Sequence, residues 1–581
     1  MTFPLIGNFN PEKNVMGTIF LKNNNKQTAW LLAAVLAAVT GSAKELTLDD
    51  VFPTDRVLDV QITVAEKDWG KIRHQARNFI SALHEDRKTA PIDGPYEYVT
   101  ADVTIDGVKF EKVGLRKKGF IGSQSTSRPS LKIKLNHTDK EAKIGGLTNL
   151  TMNNNKQDST IVSQFMGYAL FNAAGSPAPR TAFAKITLNG KNLGVYTHVE
   201  TVRKTVLNRG FGNDNGTLYE GTVVDFYDGW DGSFERKSGN KEAGKAHILK
   251  VIKLSESASV TEAAIGELVD LDSFYRFWAL EGLLGFWDGY SGNANNFFAY
   301  LNPKTNKFHF MPWGADSLFK KRSMLNFDFR APVSVKTKGR IAYHLYQTEA
   351  GRERYRNTLH GLLKELWNED ELLAECDRIE ALIEPHLNRE QSRFSRSLRG
   401  TREFIRERRE DLMDETGEAM PSWTKPPKAP PVIAEIGNVK AKFSGEWIEE
   451  SPREQTNLGK ATLQLTLNDK PVELTDVGVH GAWAGGGFGR SKKPTIRFSG
   501  RRKSDGKSVS VDISIPEDKF KPADAIESGG VFKEGRGFSF GPLGMQFING
   551  KAKLTKASLE EGDQFKGEFE GTILKLIGMG R

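Results

Sequence analysis

The first third of the chain alternates apolar and polar positions with period two, the mark of half-buried strands. Val57-Leu58-Asp59-Val60-Gln61-Ile62-Thr63-Val64 is one such run. Val103-Thr104-Ile105 and Val108-Lys109-Phe110 flank Asp106-Gly107, a two-residue hairpin signal. Over 130–135 the alternation turns Ser130, Lys132 and Lys134 one way and Leu131, Ile133 and Leu135 the other. A helix is predicted over 161–174, stopped by Gly175 and Pro177, and a second hairpin turns at Asn189-Gly190. Residues 271–284 carry apolar side chains at Phe274, Phe277, Trp278, Leu280, Leu283 and Leu284, with Gly285 as a stop. Two strands follow at 297–301 and 307–311.

From Arg352 to about Met413 the pattern is helical, and Leu372, Cys376, Ile379, Ile383 and Leu387 fall on one face. Pro421, Pro426, Pro427, Pro430 and Pro431 mark a semi-rigid linker. Beyond it, 432–581 holds short alternating runs separated by Gly and Asp, an all-β sandwich or barrel pattern. The fold class expected is α+β. Its parts are a mixed domain over 50–350, a helical extension over 351–420, a linker over 421–431 and a β-rich domain over 432–581.

Composition excludes little. The chain has 581 residues, 38% hydrophobic and 27% charged, which is globular usage. A net charge of +9 is small and forms no block of consecutive like charges, so nucleic acid is not an expected partner. The single cysteine, Cys376, rules out an intramolecular disulfide. The N-terminus says more. Lys22 and Lys26 precede an 11-residue apolar run over 29–39, and Gly41 and Ala43 sit at −3 and −1 of a cleavage point before Lys44. That describes a secretory signal peptide over 1–43, of more usual length if the start is Met16. The run is too short to span a bilayer, and no later stretch reaches 18 apolar residues. A secreted or periplasmic protein without a transmembrane anchor is expected.

Several chemistries drop out. The ten histidines are dispersed with no H-E-x-x-H, and there is neither a G-x-S-x-G elbow nor a phosphate-binding G-x-x-x-x-G-K-[ST] loop. Asp225, Asp228 and Asp231 lack calcium-loop spacing and read as a solvated loop. Gly485-Gly486-Gly487-Phe488-Gly489 precedes no helix and reads as a wide turn. One constellation remains: a helix ending at Gly285, then Trp287-Asp288, a polar loop through Asn293 and Asn296, a β-hairpin, and Asp316 just past it. Phosphoryl transfer to a hydroxyl needs a carboxylate to accept the proton, and an amide oxygen plus a second carboxylate to hold Mg²⁺. Asp288 and Asn293 are five apart, the spacing of Asp and Asn in a kinase catalytic loop. Upstream, Lys132 or Lys134 could pair a phosphate, and spacing does not choose between them. The segment 116–123, with Arg116, reads as a Gly- and cation-rich turn able to cover phosphates.

These residues resemble the CotH-type kinases, a family named for a bacterial spore-coat protein kinase. The likeness runs from about Val57 to Phe319. It is carried by Leu115-Arg116-Lys117-Lys118-Gly119, Pro129-Ser130-Leu131-Lys132-Ile133-Lys134-Leu135, Gly145-Gly146-Leu147, Leu150-Thr151-Met152-Asn153 and Asp158-Ser159-Thr160. Gly175-Ser176-Pro177-Ala178-Pro179-Arg180, Leu193-Gly194-Val195-Tyr196, Glu200, Trp287-Asp288, Asn295-Asn296-Phe297-Phe298-Ala299-Tyr300 and Pro312-Trp313-Gly314-Ala315-Asp316-Ser317-Leu318-Phe319 complete it.

The resemblance implies an atypical protein-kinase-like fold that transfers the ATP γ-phosphate to Ser or Thr with Mg²⁺ or Mn²⁺. Asp288 falls on the catalytic aspartate and Asp316 on the metal-binding aspartate. Asn296 or Asn293 falls on the loop asparagine, and Lys132 or Lys134 on the ATP-phosphate lysine. Two departures stand out. The family often reads Trp-Asp-x-Asp where this chain has Trp313-Gly314-Ala315-Asp316, and Gln164 stands near the place of a Glu that could pair the lysine. The implied substrate is an exported or envelope protein. The other reading is an inert kinase-like binding or assembly protein, whose β domain would meet cell-wall glycan through Trp423, Trp447, Trp483 and Phe488.

Overall fold

The computed structural model describes residues 45–77, 79–92, 94–257, 259–322, 328–450, 459–484, 493–535 and 546–578. The segment 1–43, expected to be a signal peptide, and the run 485–489, Phe488 included, lie outside the described residues. The chain forms two compact units. One joins Lys88–Pro427 to the residues before Ile80, and the other joins Ile80–Arg87 to Lys428–Arg581.

The first unit opens with a closed seven-stranded barrel. Its strands are β1 (Leu58–Val64), β2 (Val99–Ile105), β3 (Val108–Lys118), β4 (Ser130–Lys134), β5 (Asn149–Asn153), β6 (Thr181–Leu188) and β7 (Lys191–Glu200), in the order β1-β2-β3-β4-β5-β7-β6. The alternation explains the closure. Leu58, Val60, Ile62, Leu115, Leu131, Ile133, Leu150, Met152 and Ile186 all point inward and are at most 1% exposed. Each such burial is worth about 1.5–3 kcal/mol. Asp106 and Gly107 both have positive φ (46° and 84°), as a hairpin turn matching the strand twist requires. The segment 116–123 is not the turn its composition suggests. Residues 116–118 complete β3, with Arg116 opposite Lys132 and Lys118 opposite Ser130. Period-two alternation therefore lays Arg116, Lys118, Lys132 and Lys134 on the outer face of the barrel, while Lys117 is buried and donates to the Arg73 carbonyl at 2.9 Å.

After the barrel come β8 (Thr217–Gly221), β9 (Glu235–Ser238), β10 (Phe297–Asn302) and β11 (Lys307–Pro312), an antiparallel sheet in the order β11-β10-β8-β9. The Leu271–Leu283 helix packs here, buried nearly all round, its first turn capped by Asp270 and its end set by Gly285 at φ 62°. The helical stretch beyond is broken into Glu349–Leu366, Glu369–Ile383 and Phe394–Thr416. Leu372, Cys376, Ile379 and Ile383 share the buried face of the second of these, but Pro385 ends it before Leu387. Asp225 is no solvated loop residue: it is 1% exposed and hydrogen-bonded in the core.

The second unit is β-rich. Its strands are β12 (Val432–Glu450), β13 (Gly459–Leu467), β14 (Lys470–Val472), β15 (Leu474–Ala484), β16 (Lys493–Arg502), β17 (Ser508–Ser514), β18 (Ala523–Glu534), β19 (Gln546–Lys556) and β20 (Gln564–Ile577). β12 pairs with β20 and, further along, with β15, so the sheet closes on itself. Residues 80–87 belong to this unit. Ile433 N–H donates to the Leu83 carbonyl at 2.6 Å, and Arg87 reaches the Pro431 carbonyl at 3.1 Å. Trp447 is fully buried, edge-on to Trp483 and Phe520, so it serves the core and offers no face to a sugar. Trp423 belongs to the first unit, where its carbonyl accepts from Gln347. Among the described residues no helix is long and apolar enough to cross a membrane. The molecule is α+β with a β-rich C-terminal region.

Candidate functional site

The β10–β11 hairpin brings the two acids together. Phe297 pairs with Pro312, and Trp313 N–H donates to the Asn296 carbonyl at 2.9 Å, so the ladder continues one step past the strands. The loop that closes at Asn296 and the segment that opens at Trp313 therefore meet at one end of the sheet.

The loop is held from below by Glu281 of the Leu271–Leu283 helix. One carboxylate oxygen accepts Tyr290 N–H and the other Ser291 N–H, both at 2.8 Å. Glu281 is fully buried, and that burial raises its carboxyl to about 7 against the two hydrogen bonds. Gly289 is required between them, because a Cβ there would lie 2.1 Å from the Glu281 Oε1. Tyr290 Oη donates to Asp225 at 3.1 Å, and Asn295 Oδ1 accepts Val223 N–H at 2.9 Å, tying the loop to the end of β8.

Asp288 is 9% exposed and gathers three side-chain amides. Asn293 and Asn295 donate to its Oδ1 at 2.7 and 3.1 Å, and Asn296 donates to its Oδ2 at 2.9 Å. Burial pushes the Asp288 carboxyl up, the amides pull it back, and Lys338 adds a smaller pull in the same direction. Both candidate asparagines thus touch Asp288, and Asn295 joins them.

Asp316 differs: among the described residues no other residue donates to its carboxylate. Burial, then the charges of Asp288 and Asp158, raise it to about 7, and Lys118 opposes them. Asp158 is structural. It accepts Ser163 N–H at 2.9 Å and Thr160 N–H at 3.0 Å, capping the Ser163–Ala173 helix, which accounts for the Asp158-Ser159-Thr160 fragment. That helix also steadies the acid, since Ala315 N–H donates to Tyr168 Oη at 3.3 Å. The missing acid at Gly314 has a packing reason. Its φ is 52°, and a Cβ would lie 2.5 Å from the Asn296 Oδ1.

Of the strand lysines, Lys118 lies in the field of Glu220 and Asp316 and opposes the rise of the latter. Lys118 Nζ donates to Asn153 Oδ1 and lies 5.8 Å from the Trp313 ring centre. Asn153 in turn donates to Gln164 Oε1 at 2.6 Å. A relay of two amides thus replaces the direct Lys–Glu pair, and Gln164 serves Lys118. Burial drives Lys118 down to about 8. Lys132 is driven down to about 7 by burial and then by Arg116, Lys118, Lys237 and Arg203, all cations. Lys134 lies farther out, 5.9 Å from the Tyr98 ring centre, and Arg116 lies over Tyr96 and Tyr98. Sequence alternation alone does not single out Lys118. The signal available was that Arg116 and Lys118, not Lys117, share a face with Lys132.

The donor set suits a divalent cation bound with a polyanion. Asp288 and Asp316 repel each other, and among the described residues no acid lies within ion-pair distance of Lys118, Lys132 or Lys134. Gln164 Nε2 is buried without a partner. Among the described residues no three His, Cys, Asp or Glu side chains converge, so an ion here would take carboxylate and amide oxygens, as Mg²⁺ does. Arg180 and Glu200 of the resemblance pair at 3.1 Å with Arg209 beside them at 2.7 Å, two half-buried cations on one buried acid, a structural role.

Comparison with known proteins places the chain in a family. The chain is 23% identical over 291 residues to the inner spore coat protein H of Bacillus subtilis (strain 168), covering 46% of this chain and 78% of that protein. It is 21% identical over 327 residues to invasin CotH2 of Rhizopus delemar, covering 51% of this chain and 54% of the relative. Invasin CotH3 of the same fungus is 23% identical over 184 residues, 30% of its length, so the chain spans about half or less of either invasin. The family described as CotH kinase protein matches residues 115–412, just over half of the sequence and the span that holds both acids and all three strand lysines. The chain belongs to the CotH kinase protein family.

Proposed function

We propose that this chain is an exported protein kinase of atypical, kinase-like fold, transferring the ATP γ-phosphate to Ser or Thr of an envelope or secreted protein. In this reading Asp288 accepts the proton of the acceptor hydroxyl. Asp316, with Asn296 or Asn293, holds Mg²⁺ or Mn²⁺, which when bound neutralises charge on the phosphates. Lys118 pairs the phosphates, with Lys132 and Arg116 beside it on the barrel face. Such catalysis is mostly positioning and charge neutralisation, which rigidly held acids and cations supply. The observation that carries the reading is Asp316, an acid to which no other described residue donates, set in the field of Asp288 and opposed by Lys118. A metal–nucleotide complex would satisfy that acid and the desolvated strand lysines together. Kinship to a spore-coat protein supports action outside the cytoplasm.

The test is transfer from labelled ATP to casein with Mg²⁺ or Mn²⁺. Transfer by the full chain that is lost in Asp288→Ala and Asp316→Asn, but kept in Asp231→Ala, supports the reading. Equal transfer by Asp288→Ala rejects it. A second reading, an inert binding or assembly protein, is favoured by one observation: three amides already occupy the Asp288 carboxylate. The relatives named invasins point the same way. Calorimetry with ATP and Mg²⁺ separates the two, because an empty cleft gives no heat.

A further inference from the structure

The segment 332–341 is laid along the Asp288 loop like a strap fixed at every second residue. The Ser334 carbonyl accepts Tyr355 Oη and the Lys336 carbonyl accepts Trp278 Nε1, both at 2.7 Å. Lys338 N–H donates to the Ser291 carbonyl and Arg340 N–H to Asp225 Oδ2, again both at 2.7 Å. Gly339 lets the strap approach, since a Cβ there would lie 2.6 Å from the Tyr290 ring. Backbone so fixed leaves little freedom in where the Lys338 side chain starts, three residues along the loop from Asp288.

That side chain is exposed and, among the described residues, pairs with no acid. Its charged neighbours are Asp288, Lys425 and, on the strap itself, Lys336, and Lys425 is engaged by Asp328 at 3.1 Å. Two lysines thus serve two acids: Lys118 faces Asp316, and Lys338 faces Asp288. The loop from Asp288 to Asn296 contains no cation of its own. A phosphoryl group arriving at Asp288 carries negative charge on three equatorial oxygens and meets a second negative charge there. Some cation must offset that repulsion.

We propose that Lys338 is a catalytic residue whose ammonium binds the phosphoryl group as it passes from nucleotide to acceptor. This rests on the kinase reading of the same site. In the step, the acceptor oxygen bonds to the γ-phosphorus as its proton passes to Asp288. The bond from that phosphorus to the β–γ bridging oxygen breaks, and ADP leaves with the electron pair. Lys338 keeps its protons throughout and stabilises the charge in transit.

The test is calorimetry of the full chain with Mg²⁺ and ADP, with and without aluminium fluoride, a mimic of the phosphoryl group in flight. Lys338→Met should bind ADP within about threefold of wild type but lose at least about tenfold of the affinity gained with fluoride. Lys338→Arg should keep part of that gain, and both variants should melt like wild type because the side chain is exposed. An equal fluoride gain in Lys338→Met, or none in a wild type that binds ADP, overturns the proposal. A wild type that binds no ADP removes the kinase reading itself, and this proposal with it. In transfer to casein, Lys338→Met should lower kcat and leave the KM for ATP alone. A rise confined to the KM for an acidic acceptor would make Lys338 an acceptor-docking residue and overturn the catalytic role.

Discussion

Two closed sheets in this molecule carry lysines on their outer faces, and they treat them in opposite ways. On the second unit Lys440 meets Glu570 at 2.6 Å, Lys442 meets Glu568 at 3.1 Å and Lys553 meets Asp524 at 2.9 Å. A groove of about 320 Å³ is lined by these pairs. On the first barrel, Lys118 and Lys132 are half-buried; cations crowd Lys132, and among the described residues neither lysine is held in an ion pair. Paired, solvated lysines add at most a few tenths of a kcal/mol and keep a sheet soluble. Crowded, desolvated ones are costly in the free protein, and the natural reason to keep them is a polyanion that removes the cost on binding.

The contrast breaks most readily at the acids the first barrel faces. Asp288→Ala should reduce phosphoryl transfer by about a thousandfold or more while nucleotide binding persists. It should also lower the melting temperature, because three amides lose their acceptor at about 1–3 kcal/mol for each one left unsatisfied. Lys118→Met should cost transfer about a hundredfold or more without that loss of stability, since it removes a desolvated charge.

Glu281→Gln comes next. A Gln offers one acceptor oxygen where Tyr290 and Ser291 need two, so the loop loosens; kcat should fall about 10- to 100-fold, with less change in KM for ATP. A pH signature separates this effect from general damage. The folded carboxyl titrates near 7 against an ordinary 4.5, so the folded chain holds a proton that the unfolded chain releases between those values. Wild-type stability from this group is full below about 4.5 and is lost as pH rises through 7. The deficit of the Gln variant should therefore shrink, by on the order of 3 kcal/mol, as denaturant titrations move from pH 4.5 to pH 8.

Much of this was legible in the sequence, and the rest was hidden for definable reasons. Helix, loop, hairpin and second acid follow one another locally, so their order alone brought Asp288 and Asp316 together. The barrel strands announced themselves by alternation. Lys118 did not, because its place depends on the β3–β4 register, and the connection between those strands runs over 119–129, too long to fix register by turn geometry. Lys132 drew notice because it lies mid-strand, yet its neighbours are cations from Arg203 and Lys237, which come from distant segments. Lys338 and the strap leave no motif at all; their contacts with Ser291 and Asp225 exist only in the folded chain. Trp447 misled as a sugar platform because an aromatic in a strand carries no label for inside or outside until the face is known.

The smallest effects sharpen the comparison most, because the two sheets predict different signs. Lys132→Met removes a half-buried ammonium from among like charges. The melting temperature should therefore hold or rise, while affinity for Mg²⁺–ATP falls about tenfold in calorimetry. Lys134→Met, farther out over Tyr98, should cost less than about threefold. Lys442→Ala on the second unit breaks a solvent-exposed pair, so stability should fall by no more than about 0.5 kcal/mol, and by less still in 1 M salt, with transfer unchanged. If Lys132→Met destabilised as a broken ion pair does, an unseen acid would have to neutralise it, and the first barrel's face would be a solvated surface like the second's. If Lys442→Ala instead altered nucleotide affinity, the separation of roles between the two sheets would fail from the other side.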